Sequence, residues 1–213
     1  LIRVLIADDH EIVRAGLRQI LAEDSELAVH GEANDGQELL ELCRREGGDV
    51  VLLDLNMPGR NGLEILKQLR QEFPSLPVLI LSIHPEDQYA LRAIRAGASG
   101  YLTKETASSQ LLKAIHKVYD GGRYISDALA ERMAENLAGG GYQKPHEALS
   151  DREYQVMILI ASGKSVGRIA SELFLSAKTI STYRHRILEK MGMENNSELT
   201  SYVVRNGLLD RSF

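Results

Sequence analysis

Five side chains able to act on one group stand at matching places in the chain. Asp8 and Asp9 follow the apolar run IRVLIA (2–7), Asp54 ends DVVLLD (49–54), Ser82 ends PVLILS (77–82), and Lys104 comes two residues after SGYL (99–102). Carboxylates crowded together repel one another unless a cation lies between them, and hard oxygen donors that leave room for water suit Mg²⁺. The expected ligands are Asp8, Asp9, Asp54 and the main-chain carbonyl of Asn56. A carboxylate also serves as a nucleophile toward a phosphoryl group when a metal and an ammonium neutralise the equatorial oxygens and a hydroxyl donates to them. Lys104 and Ser82 fit those two tasks. Asp54 is the expected nucleophile, because it ends the central run and precedes LNMPG (55–59), a tight turn that leaves the carboxylate accessible.

These residues meet only if the apolar runs lie side by side in one direction. The runs at 2–7, 27–32, 49–54, 77–82 and 99–102 alternate with helical patterns: Ile12, Leu17, Ile20 and Leu21; Leu39, Leu40 and Leu42; Leu63, Ile65, Leu66 and Leu69; Ala90, Leu91 and Ile94; Leu111, Leu112, Ile115 and Val118. Five strand–helix repeats with nearly continuous apolar strands predict an α/β fold, a doubly wound, five-stranded parallel sheet covered on both faces by helices. Ligands of such sheets sit beyond the carboxyl ends of the strands, at a switch in strand order, which is where every one of the five residues falls. Gly16 within the first helical pattern suggests close packing, and Gly97 suggests a helix stop.

With 213 residues, 44% of them hydrophobic, and a formal charge of −5, the composition excludes collagenous and wholly disordered chains. The single Cys43 cannot form an internal disulfide and reads as a small core residue. No apolar run approaches the roughly 20 residues of a membrane span, and the first residues lack a leader pattern, so the cytoplasm is the expected compartment, with no membrane partner. The six histidines show no ligand spacing; His10 and His84 flank the acidic cluster. None of the glycine pairs precedes the G-K-[ST] of a nucleotide-binding loop.

Charge is unevenly spread: from Leu149 onward nine Lys and Arg oppose seven Asp and Glu, a net of +2, against −7 before it. That excess is too small to argue for nucleic acid without position. The boundaries read as 1–120 for the first domain, 121–147 for a linker and 148–213 for the second. The linker carries a short helix over 126–137, with Leu129, Met133 and Leu137 on one face, and then the glycine-rich AGGGYQKPHEA. The second domain is helical throughout. Ser150 and Glu153 match a capping box, Ser165 and Ser176 cap the next two helices, Gly192 ends the third, and a fourth spans about 196–205. Helices two and three have helix-turn-helix spacing. With Ile180, Ile187 and Met191 inward, the third helix presents Lys178, Ser181, Thr182 and His185 outward or flanking, with Arg186 at the margin, and these with Thr179 are the candidate DNA contacts. Such a face suits the major groove, and the amides near Ser176 suit a phosphate. Arg184 falls on the apolar side.

Residues 1–120 resemble the receiver domain of bacterial two-component response regulators: the acidic pair, D-x-x-M-P-G from Asp54 to Gly59, Ser82, and G-Y-L-x-K from Gly100 to Lys104. The succession L-S-x-R-E, G-K-S-V-x-x-I-A, L-x-L-S-x-K-T-I and L-x-K-M resembles the LuxR-type DNA-binding domain. Together they are similar to the NarL/FixJ class, and T-Y-R-H-R (Thr182 to Arg186) to its GacA/UvrY group. Tyr183, where many relatives have His, and Ser181 and His185, where Lys is common, depart from the pattern.

The resemblance implies a sheet order of 2-1-3-4-5, Mg²⁺-dependent phosphorylation of Asp54 by a sensor histidine kinase, and a switch through Ser82, Tyr101 and Lys104. It also implies double-stranded promoter DNA as partner. A homodimer of the phosphorylated form is expected through the fourth helix, at Leu199, Tyr202 and Val203. Two rival readings are a phosphorylation-independent receiver that binds protein or RNA, and a phosphatase with Asp54 as turnover nucleophile. The phosphatases that use such a nucleophile carry D-x-D at the first strand, whereas Asp54 ends the third run and is followed by Asn56.

Overall fold

A computed structural model of the protein describes residues 1–57, 61–83, 86–137 and 144–209, with the backbone alone at 87, 88, 132 and 135–137. Pro58, Gly59, His84 and Gly139–Gly141, as well as the side chain of Leu137, lie outside the described residues. The chain forms two compact units, Leu1–Glu135 and Asn136–Phe213.

In the first unit β1 (Ile2–Ala7), β2 (Leu27–Ala33), β3 (Val50–Asp54), β4 (Val78–Ser82) and β5 (Gly100–Thr103) form one parallel sheet of order β2-β1-β3-β4-β5. The connecting helices are α1 (Glu11–Leu21), α2 (Gly36–Glu46), α3 (Gly62–Glu72), α4 (Glu86–Arg95) and α5 (Lys104–Tyr119), and α6 (Asp127–Leu137) follows them. Strand side chains alternate between faces. Val4, Ile6, Val50, Leu52, Leu79 and Leu81 pack with Leu17 and Leu21 of α1 and Leu111 and Ile115 of α5. Their neighbours Leu5, Val51, Leu53 and Ile80 are buried on the other face, where α2, α3 and α4 bury Leu39, Leu40, Ile65, Leu66 and Ala90. The inner strands β3 and β4, and β1 apart from Arg3, are thus buried on both sides, which is why their runs lack polar alternation, whereas the edge strand β2 keeps His30 and Glu32 half-buried.

Side chains start several of these helices. Asp35 accepts from the amides of Gln37 and Glu38, Asn61 from Leu63, and Thr103 from Thr106. Two details differ from the sequence expectation. Ile12, a periodic apolar position, lies on the solvent side of α1 at 83% exposure. A Cβ at Gly16 would meet nothing within 4 Å, so close packing does not explain that glycine. Gly97 does follow α4 at φ +106°, as a helix stop requires.

Beyond α5 the chain adds an isolated parallel bridge between Tyr124 and Gly100 at the outer edge of β5. The Tyr124 amide donates to Ser99 O at 2.9 Å, and its carbonyl accepts from the Tyr101 amide at 3.2 Å. Leu129 of α6 is buried, and the Ser126 amide donates to Glu86 Oε1 at 3.4 Å.

The second unit is helical: a 3₁₀ turn (Pro145–Ala148), α7 (Asp151–Ala161), α8 (Val166–Glu172), α9 (Ala177–Met191) and α10 (Asn196–Arg205). Its core is Leu149, Tyr154, Val156, Met157, Ile169, Ile180, Ile187, Leu199 and Val203. Ser150 and Glu153 form a reciprocal capping box, and Ser165, Ser176 and Asn195 cap the helices that follow them. No helix among the described residues is long and apolar enough to cross a membrane.

Candidate functional site

The strand order reverses between β1 and β3, and the register there puts Ala7 beside Leu53, Asp54 beside Leu81, and Ser82 beside Thr103. The residues that end β1, β3 and β4 therefore lie along one edge, and α5 begins there with Lys104. Lys104 Nζ donates to Asp8 Oδ2 at 2.6 Å and to Asp54 Oδ2 at 2.7 Å. Both carboxylates are buried. Their other oxygens accept main-chain amides, Asp8 Oδ1 from His10 at 2.9 Å and Asp54 Oδ1 from Asn56 at 3.1 Å. Gly62 lets the chain after Asp54 fold back, since a Cβ there would lie 2.5 Å from Leu55 Cα.

Electrostatics follow from burial and pairing. Desolvation pushes the Asp54 carboxyl above its ordinary value, against the opposing pull of Lys104. Burial alone would lower Lys104, but Asp54 and Asp8 outweigh it and hold the ammonium above its ordinary value.

Ligand atoms of Asp8, Asp9, His10 and Asp54 lie within 4.8 Å of one another. Asp9 Oδ1 is buried without a hydrogen bond; His10 Nδ1 stands 2.8 Å away but is not aligned to donate. Two carboxylates that share one ammonium, with a third beside them that keeps an oxygen unbonded, fit a hard divalent cation held by oxygen donors. Ser82 is fully buried at the end of β4, and Tyr101 is buried in β5, its amide tied to Tyr124.

Arg14, in α1, is a site residue the sequence reading passed over. Its buried guanidinium donates Nη1 to the Asp8 carbonyl at 2.7 Å and Nε to Glu32 Oε2 at 2.9 Å, and it pairs with Glu11. It thereby clamps the peptide between the two acidic residues.

On α9, Lys178, Ser181, Thr182, His185 and Arg186 are exposed, and Thr179 is half-buried beside the Ser176 cap, their hydroxyl oxygens 2.8 Å apart. Ser181 and Thr182 donate their hydroxyls to the carbonyls of Ala177 and Lys178, each at 3.0 Å, leaving lone pairs outward. Arg184 Nε donates to Asn196 Oδ1 at 2.6 Å, so this residue braces α9 against the start of α10.

The expected dimer residues need correction. Leu199 and Val203 are wholly buried in the unit's core, because α10 supplies its fourth wall. The Tyr202 hydroxyl lies 2.8 Å from His146 Nδ1. The outer face of α10 consists of Ser197, Glu198, Ser201, Val204 and Arg205.

Comparison with known proteins gives the same two parts. Residues 4–116 match the response regulator receiver domain, and residues 147–203 match the bacterial regulatory proteins of the luxR family. The chain is 38% identical to the response regulator UvrY of Escherichia coli K12, over 98% of this chain and 96% of UvrY. It is likewise 38% identical to the response regulator GacA of Pseudomonas aeruginosa, over 99% of both chains. Among solved structures it is similar to RcsB from Salmonella enterica serovar Typhimurium bound to a promoter in the presence of phosphomimetic BeF₃⁻, with a TM-score of 0.66, 29% identity, and coverage of 95% and 98% of the two chains. Another structure holds two RcsB dimers on two parallel DNAs, with a TM-score of 0.59, 28% identity and coverage of 95% and 98%. The chain belongs to the two-component response regulators that join a receiver domain to a LuxR-type DNA-binding domain and regulate transcription.

Proposed function

We propose that this regulator is switched by transfer of a phosphoryl group from a sensor histidine kinase to Asp54. The observation that carries the reading is the buried Asp54 carboxylate joined through Lys104 to Asp8. An Asp54 oxygen attacks phosphorus, the bond from phosphorus to the donor's histidine nitrogen breaks, and an acyl phosphate remains. Asp8, Asp9, Asp54 and the Asn56 carbonyl would hold Mg²⁺, which when bound neutralises charge on the phosphoryl oxygens. Lys104 turns its ammonium from the carboxylates to the phosphoryl group, and Ser82 donates its hydroxyl. Tyr101 repacks behind Ser82 and reports the change at the β5 edge, where its amide is bonded to Tyr124.

The 1–120 region is then the phosphoacceptor, 121–147 the connection, whose closing 3₁₀ turn packs on the helical unit through His146, and 148–213 the DNA-binding part. Lys178, Thr179, Ser181, Thr182, His185 and Arg186 meet promoter duplex, the cations at phosphate or guanine and the hydroxyls at base edges. Phosphorylation favours a homodimer through the outer face of α10, with Ser197, Ser201 and Val204 on one stripe. The protein acts in the cytoplasm as a regulator without catalytic turnover of its own.

Incubation with acetyl phosphate and Mg²⁺ tests both parts. Wild-type protein gains one phosphoryl mass and sediments as a dimer on a duplex with two half-sites; Asp54→Asn does neither. A gain of mass in Asp54→Asn would move the acceptor elsewhere, and a phosphorylated monomer on that duplex would remove the dimer.

A further inference from the structure

Six helices among the described residues, α4, α5, α7, α8, α9 and α10, end in one motif. A residue of positive φ follows the helix, and the next amide bonds back to a carbonyl five residues earlier, as in Ala98 N to Ala93 O and Met193 N to Leu188 O. At five of them the positive-φ residue is glycine: Gly97, Gly121, Gly163, Gly192 and Gly207. At α8 it is Phe174, with φ +53° and the closing bond from Leu175 N to Ala170 O at 2.8 Å. A side chain with a Cβ is disfavoured in that conformation, and a bulky one is rare there. The ring gains little from the fold in return, because the residue is 69% exposed. An aromatic residue that is both strained and uncovered, where the five other such helix ends among the described residues carry glycine, is available for a contact outside its own domain.

Its position says which contact. Phe174 stands two residues before Ser176, the cap of α9. Of the first amides of α9, the Thr179 amide is taken up by the Ser176 hydroxyl, while those of Ala177 and Lys178 precede the first intrahelical bond, that of Ile180 to Ser176 O. The exposed Lys178 lies in the same turn. We infer that Phe174 packs its ring on the deoxyribose edge of the DNA strand whose phosphate meets the start of α9. This apolar contact positions the reading helix without reading a base. The inference rests on the proposed DNA face of α9 and extends it to the preceding turn.

The test uses full-length phosphorylated protein and a duplex selected by the wild type from random sequence. Phe174→Gly relieves the backbone, so its thermal midpoint rises, yet its affinity falls about tenfold. The loss is the same for point-substituted duplexes, and the slope of log affinity against log salt is unchanged, because no charge is removed. Phe174→Asn, which also tolerates positive φ, behaves like the glycine variant; Phe174→Tyr retains binding. A stabilised Phe174→Gly protein that binds as tightly as wild type would overturn the inference. A loss confined to one base position would overturn the sugar contact in favour of base reading. If wild-type protein selects no duplex at all, the DNA face of α9 itself is wrong.

Discussion

Lys104 is the residue on which the acidic pocket balances. Its ammonium lies within hydrogen-bonding distance of two buried carboxylates that would otherwise face each other with no donor between them. Removing one member of a buried ionic group exposes the cost of the others, so Lys104→Met should lower stability by about 2–4 kcal/mol in metal-free buffer. If the proposed Mg²⁺ site is right, the divalent cation takes the ammonium's place, and millimolar Mg²⁺ should raise the thermal midpoint of the variant more than that of the wild type. Equal responses in the two melts would mean that the cation does not enter between Asp8 and Asp54. This trio was legible in the chain because each member ends or follows an apolar run, and parallel strands bring equivalent positions together. Arg14 was not legible. A single arginine inside an amphipathic helix reads as solvated, and its role arises from the approach of the Asp8 carbonyl and of Glu32 in β2.

At the scale of elements, the caps written into the sequence do more than start helices. Glu153 accepts the Ser150 amide at 2.8 Å and also receives Lys190 Nζ at 2.7 Å, which ties the start of α7 to the last turn of α9. Burial would raise its carboxyl, but Lys190 and the Ser150 contacts outweigh burial and hold it below the ordinary value. A depressed carboxyl stabilises the fold above its unfolded value, about 4.3, and this contribution is lost as pH falls through the lower folded value. Glu153→Gln should therefore cost about 1–2 kcal/mol at neutral pH. In urea titrations the gap to wild type should persist down to about pH 5 and close below it. A gap that stayed constant into acid would assign the loss to packing rather than charge. The capping box was visible from Ser150 and Glu153 alone, but the Lys190 partner was not, since 37 residues separate the two. The same limit explains α10. Leu199 and Val203 repeat as an apolar stripe, and periodicity cannot say whether such a stripe faces its own core or a second copy.

At the scale of the whole chain, two cores were legible as a change of period, from alternating strands and helices to helices alone. The place where one ends and the next begins was less so, because turn-rich segments between domains carry no apolar pattern. Packing supplies what pattern does not. His146 is nearly buried, sits 2.8 Å from the Tyr202 hydroxyl, and places its ring 6.0 Å from that of Tyr154. The 3₁₀ turn at Pro145–Ala148 is thus part of the helical unit, together with the buried Leu149. A fragment starting at Lys144 keeps all of these contacts and should fold and bind duplex DNA without acetyl phosphate. The full chain should need phosphorylation to reach the same affinity, since the fragment lacks the −7 excess carried before Leu149 and has no acceptor to wait for. A fragment starting at Ser150 loses His146 and Leu149, and should melt several degrees lower, by the cost of uncovering Tyr202 and Tyr154. Calorimetry of the two fragments, and anisotropy of a labelled duplex with the longer one, would decide this. If the longer fragment folds but fails to bind, the receiver supplies contacts to the DNA, and phosphorylation acts by adding to them.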